Sequence, residues 1–155
     1  MFSREEASRI RRDFWTTFGQ YLRPIPGAEG GKVNWVNYKT GFRKLHFRMD
    51  VDREQAYIGI VFMQKDDDLR QLFYEQMEEL RPVFHATMEE EWTWVQQAET
   101  ADGQPFSHVF TTLTGVNIFR ADDWPDIIAF LKPRILLLDE FWSLARYHFD
   151  LLEEY

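Results

Sequence analysis

Carboxylates, histidines and hydroxyls are the residues of this chain that could do chemistry, and their spacing says which reactions to consider. Asp50, Asp52 and Glu54 alternate as calcium ligands can, but the glycine and the distant bidentate Glu of a calcium loop are missing. A solvated hairpin tip accounts for them. A nuclease core of the restriction-enzyme kind puts an Asp on one strand and a Glu-x-Lys on the next. Asp50 could be the first carboxylate, but the next strand ends Phe62-Met63-Gln64-Lys65, with Met63 where the Glu should stand. Two-metal chemistry needs convergent carboxylates, so the motif is broken. Glu89, Glu90 and Glu91 read as a solvated helix-to-strand junction. His46, His85, His108 and His148 show no metal-ligand spacing within one element, although His46 and His108 could share an open sheet face. The chain has no Cys, hence no thiolate nucleophile, zinc-thiolate site or disulfide. Ser3, Ser107 and Ser143 sit in no nucleophile elbow. The glycines before Lys32 suggest a phosphate loop, but only three residues separate Gly27 from Gly31, and Val33 follows the lysine. That motif needs four residues and a Ser or Thr. The expectation is no catalytic residue, no metal and no cofactor.

Binding remains. In NWVNYKTG, Trp35 and Tyr38 stand three apart, and the turn formers Asn34, Asn37, Thr40 and Gly41 surround them. Large aromatics mostly serve cores, so one reading has both rings plugging the sheet against Trp15 or Phe18. The other makes Trp35, Tyr38 and Lys39 a pocket rim, with Trp92 and Trp94 nearby. A small-ligand cup between the sheet and the last helix is the corresponding function. The net charge is −8, which disfavours nucleic acid. A local basic strip of Arg43, Lys44, His46 and Arg48 would be the way round that, with Arg9, Arg11 and Arg12 a second basic group. Trp124, Trp142, Tyr147 and Tyr155 are aromatic surplus and suggest a homodimer, while the acidic tail from Asp150 to Tyr155 stays in water.

The elements that must hold these residues follow from periodicity. Ser3 and Glu6 form a capping box, and Phe2 with Ala7 a hydrophobic staple, for a first helix whose face is Ala7, Ile10, Phe14, Phe18 and Tyr21. Pro24 and Pro26 end it. Leu45, Phe47, Met49 and Val51 alternate with His46, Arg48 and Asp50, a half-buried strand. Asp52 to Glu54 turn the chain into 56–63, an apolar run expected at the sheet centre. Asp66, Asp67 and Asp68 cap a second helix whose periodicity continues past Pro82, predicting a kink there. Residues 91–98 and 106–114 make a second hairpin around Asp102-Gly103, with Trp92 and Trp94 on one face. After Gly115, Val116, Ile118 and Phe119 are expected over the sheet edge. Asp122 or Asp123 caps the last helix, which Pro133 should bend or split. The expected fold is α+β: a four-stranded antiparallel sheet in two hairpins, order α-ββ-α-ββ-α, packed by three helices. Residues 33–38 are a candidate fifth strand.

The stretches NWVNYKTG, DDWP, KPRILLLDEFW and EEASRIRRDFWTTFG resemble an uncharacterised bacterial domain-of-unknown-function family over nearly the whole chain. Members of that family stand alone at about this length. Related domains also occur C-terminal to regions resembling restriction endonucleases. The resemblance brings no catalytic residue with it. It implies an accessory module of a nucleic-acid-processing or restriction-like system, or a degenerate nuclease-like domain, as the alternative to a non-catalytic binding or self-association domain.

Length and composition agree with one domain, 1–155. The chain is 45% hydrophobic and 28% charged, within the globular range. Its aromatic content, 17%, exceeds what a core of this size requires and leaves rings for an interface. The opening MFSREEASRIRR is charged from its fourth residue, unlike a signal peptide, and no stretch is apolar for long enough to span a bilayer. A cytoplasmic location and no membrane partner are expected.

Overall fold

The computed structural model describes residues 2–154. In chain order it contains α1 (Arg4–Leu22), β1 (Leu45–Val51), β2 (Gln55–Phe62), α2 (Asp67–Glu79), α3 (Arg81–Met88), β3 (Thr93–Glu99), β4 (Pro105–Thr114) and α4 (Trp124–Ala145). A 3-10 turn, Ala121–Asp123, precedes α4, and a 3-10 segment, Arg146–Glu154, follows it. The fold is α+β in the expected α-ββ-α-ββ-α order. The strands form one antiparallel sheet in the order β1-β2-β4-β3, so β2 and β4 are central. Residues 33–38 add no fifth strand; they run as turns and irregular chain.

Local chemistry explains where the elements begin. Ser3 Oγ accepts from the Glu6 N–H and Glu6 Oε1 accepts from the Ser3 N–H, the reciprocal box expected for α1. Asp66 Oδ1 accepts from the Leu69 N–H and caps α2. The kink expected at Pro82 is a break: α2 stops at Glu79, Leu80 leaves helical geometry at φ −89° and ψ 4°, and Pro82 sits in the first turn of α3. A proline ring obstructs the carbonyl four residues earlier and donates no N–H, so a fresh helix start costs less than a bent interior. Pro133, by contrast, lies inside an unsplit α4. Asp123 occupies the position ahead of α4 but does not cap it; its carboxylate accepts from the Asn117 N–H and so fixes the preceding loop.

One face of the sheet carries the core. Phe47, Val51, Ala56, Ile58, Ile60, Phe62 and Val109 join Phe14, Phe18, Leu22, Phe73, Phe84, Leu138, Phe141, Trp142 and Phe149 in one buried cluster. Each fully buried large side chain contributes roughly 1.5–3 kcal/mol. Val116 and Ile118 are buried in this core, and the Ile118 N–H donates to the Asp52 carbonyl, so this segment locks the β1–β2 turn. Glu90 corrects the expectation of a solvated junction: it takes two hydrogen bonds from Arg134, at 2.8 and 2.9 Å, and one from Trp92 Nε1 at 3.0 Å. No described helix is long and apolar enough to cross a membrane.

Candidate functional site

Among the described residues the other face of the sheet carries none of the buried helix side chains of the core, and strand register lists what it displays. Arg48, Gly59, Phe110 and Thr93 form one row across the four strands; His46, Val61, His108 and Val95 form the next; Asp50, Tyr57 and Thr112 flank them. His46 and His108 therefore do not meet, because Val61 stands between them, about 10 Å being spanned by two strand spacings. What does assemble is a terrace of rings. Tyr57, His108 and Phe110 lie within 26° of parallel to one another, with His108 and Phe110 centroids 4.1 Å apart. Phe106 meets His108 edge-on at 4.8 Å.

Gly59 makes the terrace possible. A Cβ built there would come 2.5 Å from Tyr57 Oη and 2.9 Å from Tyr57 Cζ, so the tyrosine ring lies across the bare glycine. Its hydroxyl reaches His108 Nδ1 at 2.7 Å. Burial pushes the Tyr57 hydroxyl far above its ordinary pKa and lowers that of His108, so both burial effects favour the neutral forms of this pair. Beside the rings is a depression of about 220 Å³, lined by Tyr57, Val61, Phe106, His108 and Arg48 and also by Asp50, Asp52 and Gln55. Val61 is buried although it belongs to this outer face, because side chains of the face itself cover it. The expectation that this apolar run lies at the sheet centre is met, with β2 between β1 and β4.

Arg48 also belongs to a second cavity, of about 310 Å³, between β1 and the preceding loop. Asn37, Tyr38, Lys39, His46 and Arg48 line it, and no acid does. Burial, then the charges of Arg48 and Lys44, hold the His46 pKa below its usual value, which locates positive potential there. Lys44 extends the outward row; its carbonyl accepts from the Met63 N–H, one step beyond the Leu45–Phe62 pair. Arg43 lies in the turn ahead of β1 and lines neither cavity.

A third cavity, about 270 Å³, separates the 27–39 segment from α4. Asp139 of α4 is 8% exposed there. One of its oxygens accepts from the Ala28 N–H at 2.6 Å and the other from the Tyr38 hydroxyl, which pins the long segment between α1 and β1 to the last helix. Lys32, Lys39 and Arg146 surround this cleft.

The expected pocket rim therefore divides. Trp35 is core, 3% exposed, and its indole N–H donates to the Ile25 carbonyl. Tyr38 and Lys39 do line cavities, two of them. Trp92 and Trp94 pack edge-on against Phe84 of α3, 5.2 and 5.9 Å between centroids, and line neither of those two. Among the aromatics suggested for a dimer, Trp142 is buried, Trp124 donates to the Ile118 carbonyl, Tyr147 is exposed, and Tyr155 lies outside the described residues. The acidic-tail expectation likewise falls partly outside them. Asp50 is exposed at a strand end and accepts from the Val51 N–H. Among the described residues no group of three or more His, Asp or Glu is placed to hold a metal ion.

Sequence reasoning weighed His108 only as a partner for His46 and passed over Tyr57, Phe106, Phe110 and Asp139 as site residues. A signal for the first four was present: rings at 106, 108 and 110 have a period of two and share a face, and Tyr57-x-Gly59 puts a bare position beneath a ring. The local pattern marks Asp139 only as an acid at an apolar position of the last helix and does not name its partners.

The chain belongs to a family described as Domain of unknown function (DUF4268), whose model matches residues 10–146. Neither the curated proteins nor the solved structures contain a match to it.

Proposed function

We propose that this domain is a non-catalytic binding module that takes single-stranded nucleic acid on its open sheet face. An unpaired base extends the stack of Tyr57, His108 and Phe110, and the sugar-phosphate chain crosses the β1 edge past Arg48, His46 and Lys39. The observation that carries this reading is the double membership of Arg48. It borders the ring depression and also the acid-free groove, so stacking surface and positive charge are contiguous. Aromatic platforms beside cationic grooves bind single strands because every base has a π face and every linkage a charge.

The net charge of −8 opposes any long-range attraction. Although Asp50 and Asp52 line the ring depression beside Arg48, most of the acids are elsewhere. They cluster at Asp66 to Asp68, along α2, at Glu89 to Glu91 and around the start of α4, whereas Asp50 alone occupies an outward position on β1. With a Debye length of about 8 Å at physiological salt, the local sign governs contact. A domain of this kind suits an accessory role in a nucleic-acid-processing assembly.

Fluorescence anisotropy of labelled single-stranded DNA and RNA at low salt is the test. Affinity should fall with salt, with a log–log slope of about −2 for three phosphates at ~0.7 each. Arg48→Ala should reduce that slope by about 0.7. Phe110→Ala should weaken binding by about 1–3 kcal/mol at unchanged slope. No binding to either strand type at low salt sinks the proposal.

Self-association is a second reading, supported by a separate surface. Leu144, Tyr147 and Leu151 are 62%, 62% and 75% exposed and follow one another at helical spacing. Light scattering would then give twice the chain mass, and Leu144→Glu would halve it. A monomer at micromolar concentration rejects the homodimer.

A further inference from the structure

The cleft between the 27–39 segment and α4 holds an arrangement of charge of which the sheet face shares only Lys39. Asp139 is buried, yet it takes part in none of the ion pairs of the described residues, which join Arg70 to Asp67, Arg120 to Asp123 and Arg134 to Glu90. Buried carboxylates are ordinarily paired with a cation, because an uncompensated charge in low dielectric is costly. Two donors reach this one, the Ala28 N–H and the Tyr38 hydroxyl. A carboxylate accepts about four hydrogen bonds, so half its capacity is unused on the side that lines the cleft.

Three cations line the same cleft without touching that carboxylate: Lys32, Lys39 and Arg146. Glu29 adds one further acid. Ionising the tyrosine would add a second negative charge beside Asp139. Burial and Asp139 hold its hydroxyl far above the ordinary range, so it stays a donor. Gly27 keeps the wall thin here: a Cβ at that position would come 2.6 Å from Val33 Cγ2 and 3.3 Å from Asp139 Oδ2. The cleft thus presents a buried negative group and a set of positive ones across about 270 Å³, below the ~300–1,000 Å³ typical of drug-sized sites.

We propose that this cleft binds a small zwitterion of the α-amino-acid class, its ammonium group on Asp139 and its carboxylate among Lys32, Lys39 and Arg146. A simple amine would satisfy Asp139 but leave three cations facing it. A simple carboxylate would pair with the cations but meet Asp139 and Glu29. Only a ligand carrying both signs answers both. The proposal stands apart from the nucleic-acid reading, and either survives failure of the other.

The test uses the full chain and the natural L-α-amino acids, each beside its decarboxylated amine and its deaminated acid. Saturation-transfer NMR and thermal shift at about 10 mM ligand read binding. At least one amino acid should bind and raise Tm, with its amine and acid analogues about tenfold weaker or more. Lys32→Ala and Lys39→Ala should each weaken that ligand about tenfold while the ligand-free Tm stays at the parent value. Asp139→Asn should lower the ligand-free Tm, because the residue also pins the segment, so the lysine variants carry the decision. The proposal is overturned if no amino acid gives saturation transfer, if the amine binds as well as the amino acid, or if both lysine variants bind like the parent.

Discussion

Replacing Gly59 by alanine separates two opposed effects, and the structure says which wins. Alanine in place of a strand glycine restricts the unfolded chain and ordinarily stabilises by about 0.4–1 kcal/mol. Here the added Cβ would stand 2.5 Å from Tyr57 Oη, 2.9 Å from Tyr57 Cζ and 2.9 Å from Phe110 Cβ. The tyrosine can swing away, but that breaks its hydrogen bond to His108, about 1 kcal/mol, and its stacking on Phe110, about 0.5–1.5 kcal/mol. Phe110 cannot swing, since its Cβ is fixed by the backbone directly opposite Gly59 in the β2–β4 ladder. Strain there adds about 1 kcal/mol or more. The net expectation is a loss of about 2–3 kcal/mol, measured by urea unfolding. In a Tyr57→Ala background the ring contacts are already gone, and the same change should cost about 1 kcal/mol or less. The double-mutant cycle should therefore show a coupling of about 1–2 kcal/mol. Stabilisation by Gly59→Ala, or additivity within about 0.5 kcal/mol, would show that Tyr57 does not lie across the glycine. The stacking terrace would go with it.

Asp139→Ala should cost about 2–4 kcal/mol in the same assay, because it strands the Ala28 N–H and the Tyr38 hydroxyl; Tyr38→Phe, which removes one donor, should cost about 1–2 kcal/mol. Losses under about 0.5 kcal/mol would contradict the pinning role. His46 and His108 both have lowered folded pKa values, so below about pH 6.5 the unfolded chain binds more protons than the folded one. Their contribution to stability is complete above that pH and is lost as pH falls through the folded values; a His46→Gln, His108→Gln double variant should flatten urea-midpoint profiles between about pH 5 and 7. A phosphate beside His46 would raise its pKa, so nucleic-acid affinity should increase from about pH 8 to pH 6 in the parent and not in His46→Gln.

The architecture was legible wherever a period decided it. Leu45, Phe47, Met49 and Val51 could face only one way, and the structure buries Leu45, Phe47 and Val51 while leaving Arg48 and Asp50 exposed. Capping chemistry fixed the start of α1 because the Ser3–Glu6 box is local and reciprocal. Prolines were harder. Apolar periodicity continues past both Pro82 and Pro133, yet one breaks a helix and the other does not. A neighbour accounts for part of the difference at Pro133: Arg134 donates to the Phe130 carbonyl while gripping Glu90, which ties α4 to the α3–β3 junction across that proline. Such a tie joins residues 44 apart in sequence, and no local window contains it.

The candidate sites show the same division between local and distant information. Rings at alternate positions of β4 declare a shared face, but whether that face is core or open depends on which side the helices take. That choice was already encoded, because Val109 pairs with Ile60 and both are buried, which sends Phe106, His108 and Phe110 outward. Reading β4 against β2 in register would have found the terrace. Trp35 and Tyr38 could not be resolved in this way. They lie in irregular chain, where no period assigns a face, and their fates differ because of two distant partners. Trp35 Nε1 finds the Ile25 carbonyl as the segment folds back, and Tyr38 finds Asp139, 101 positions later. Asp139 itself sits within ILLLDEFW, where helical periodicity asks for an apolar residue. A carboxylate tolerated there needs donors brought to it from outside its own helix. The long irregular connection between α1 and β1 is where those donors come from, so the length of that loop and the acid in that helix are one feature seen from two places in the chain.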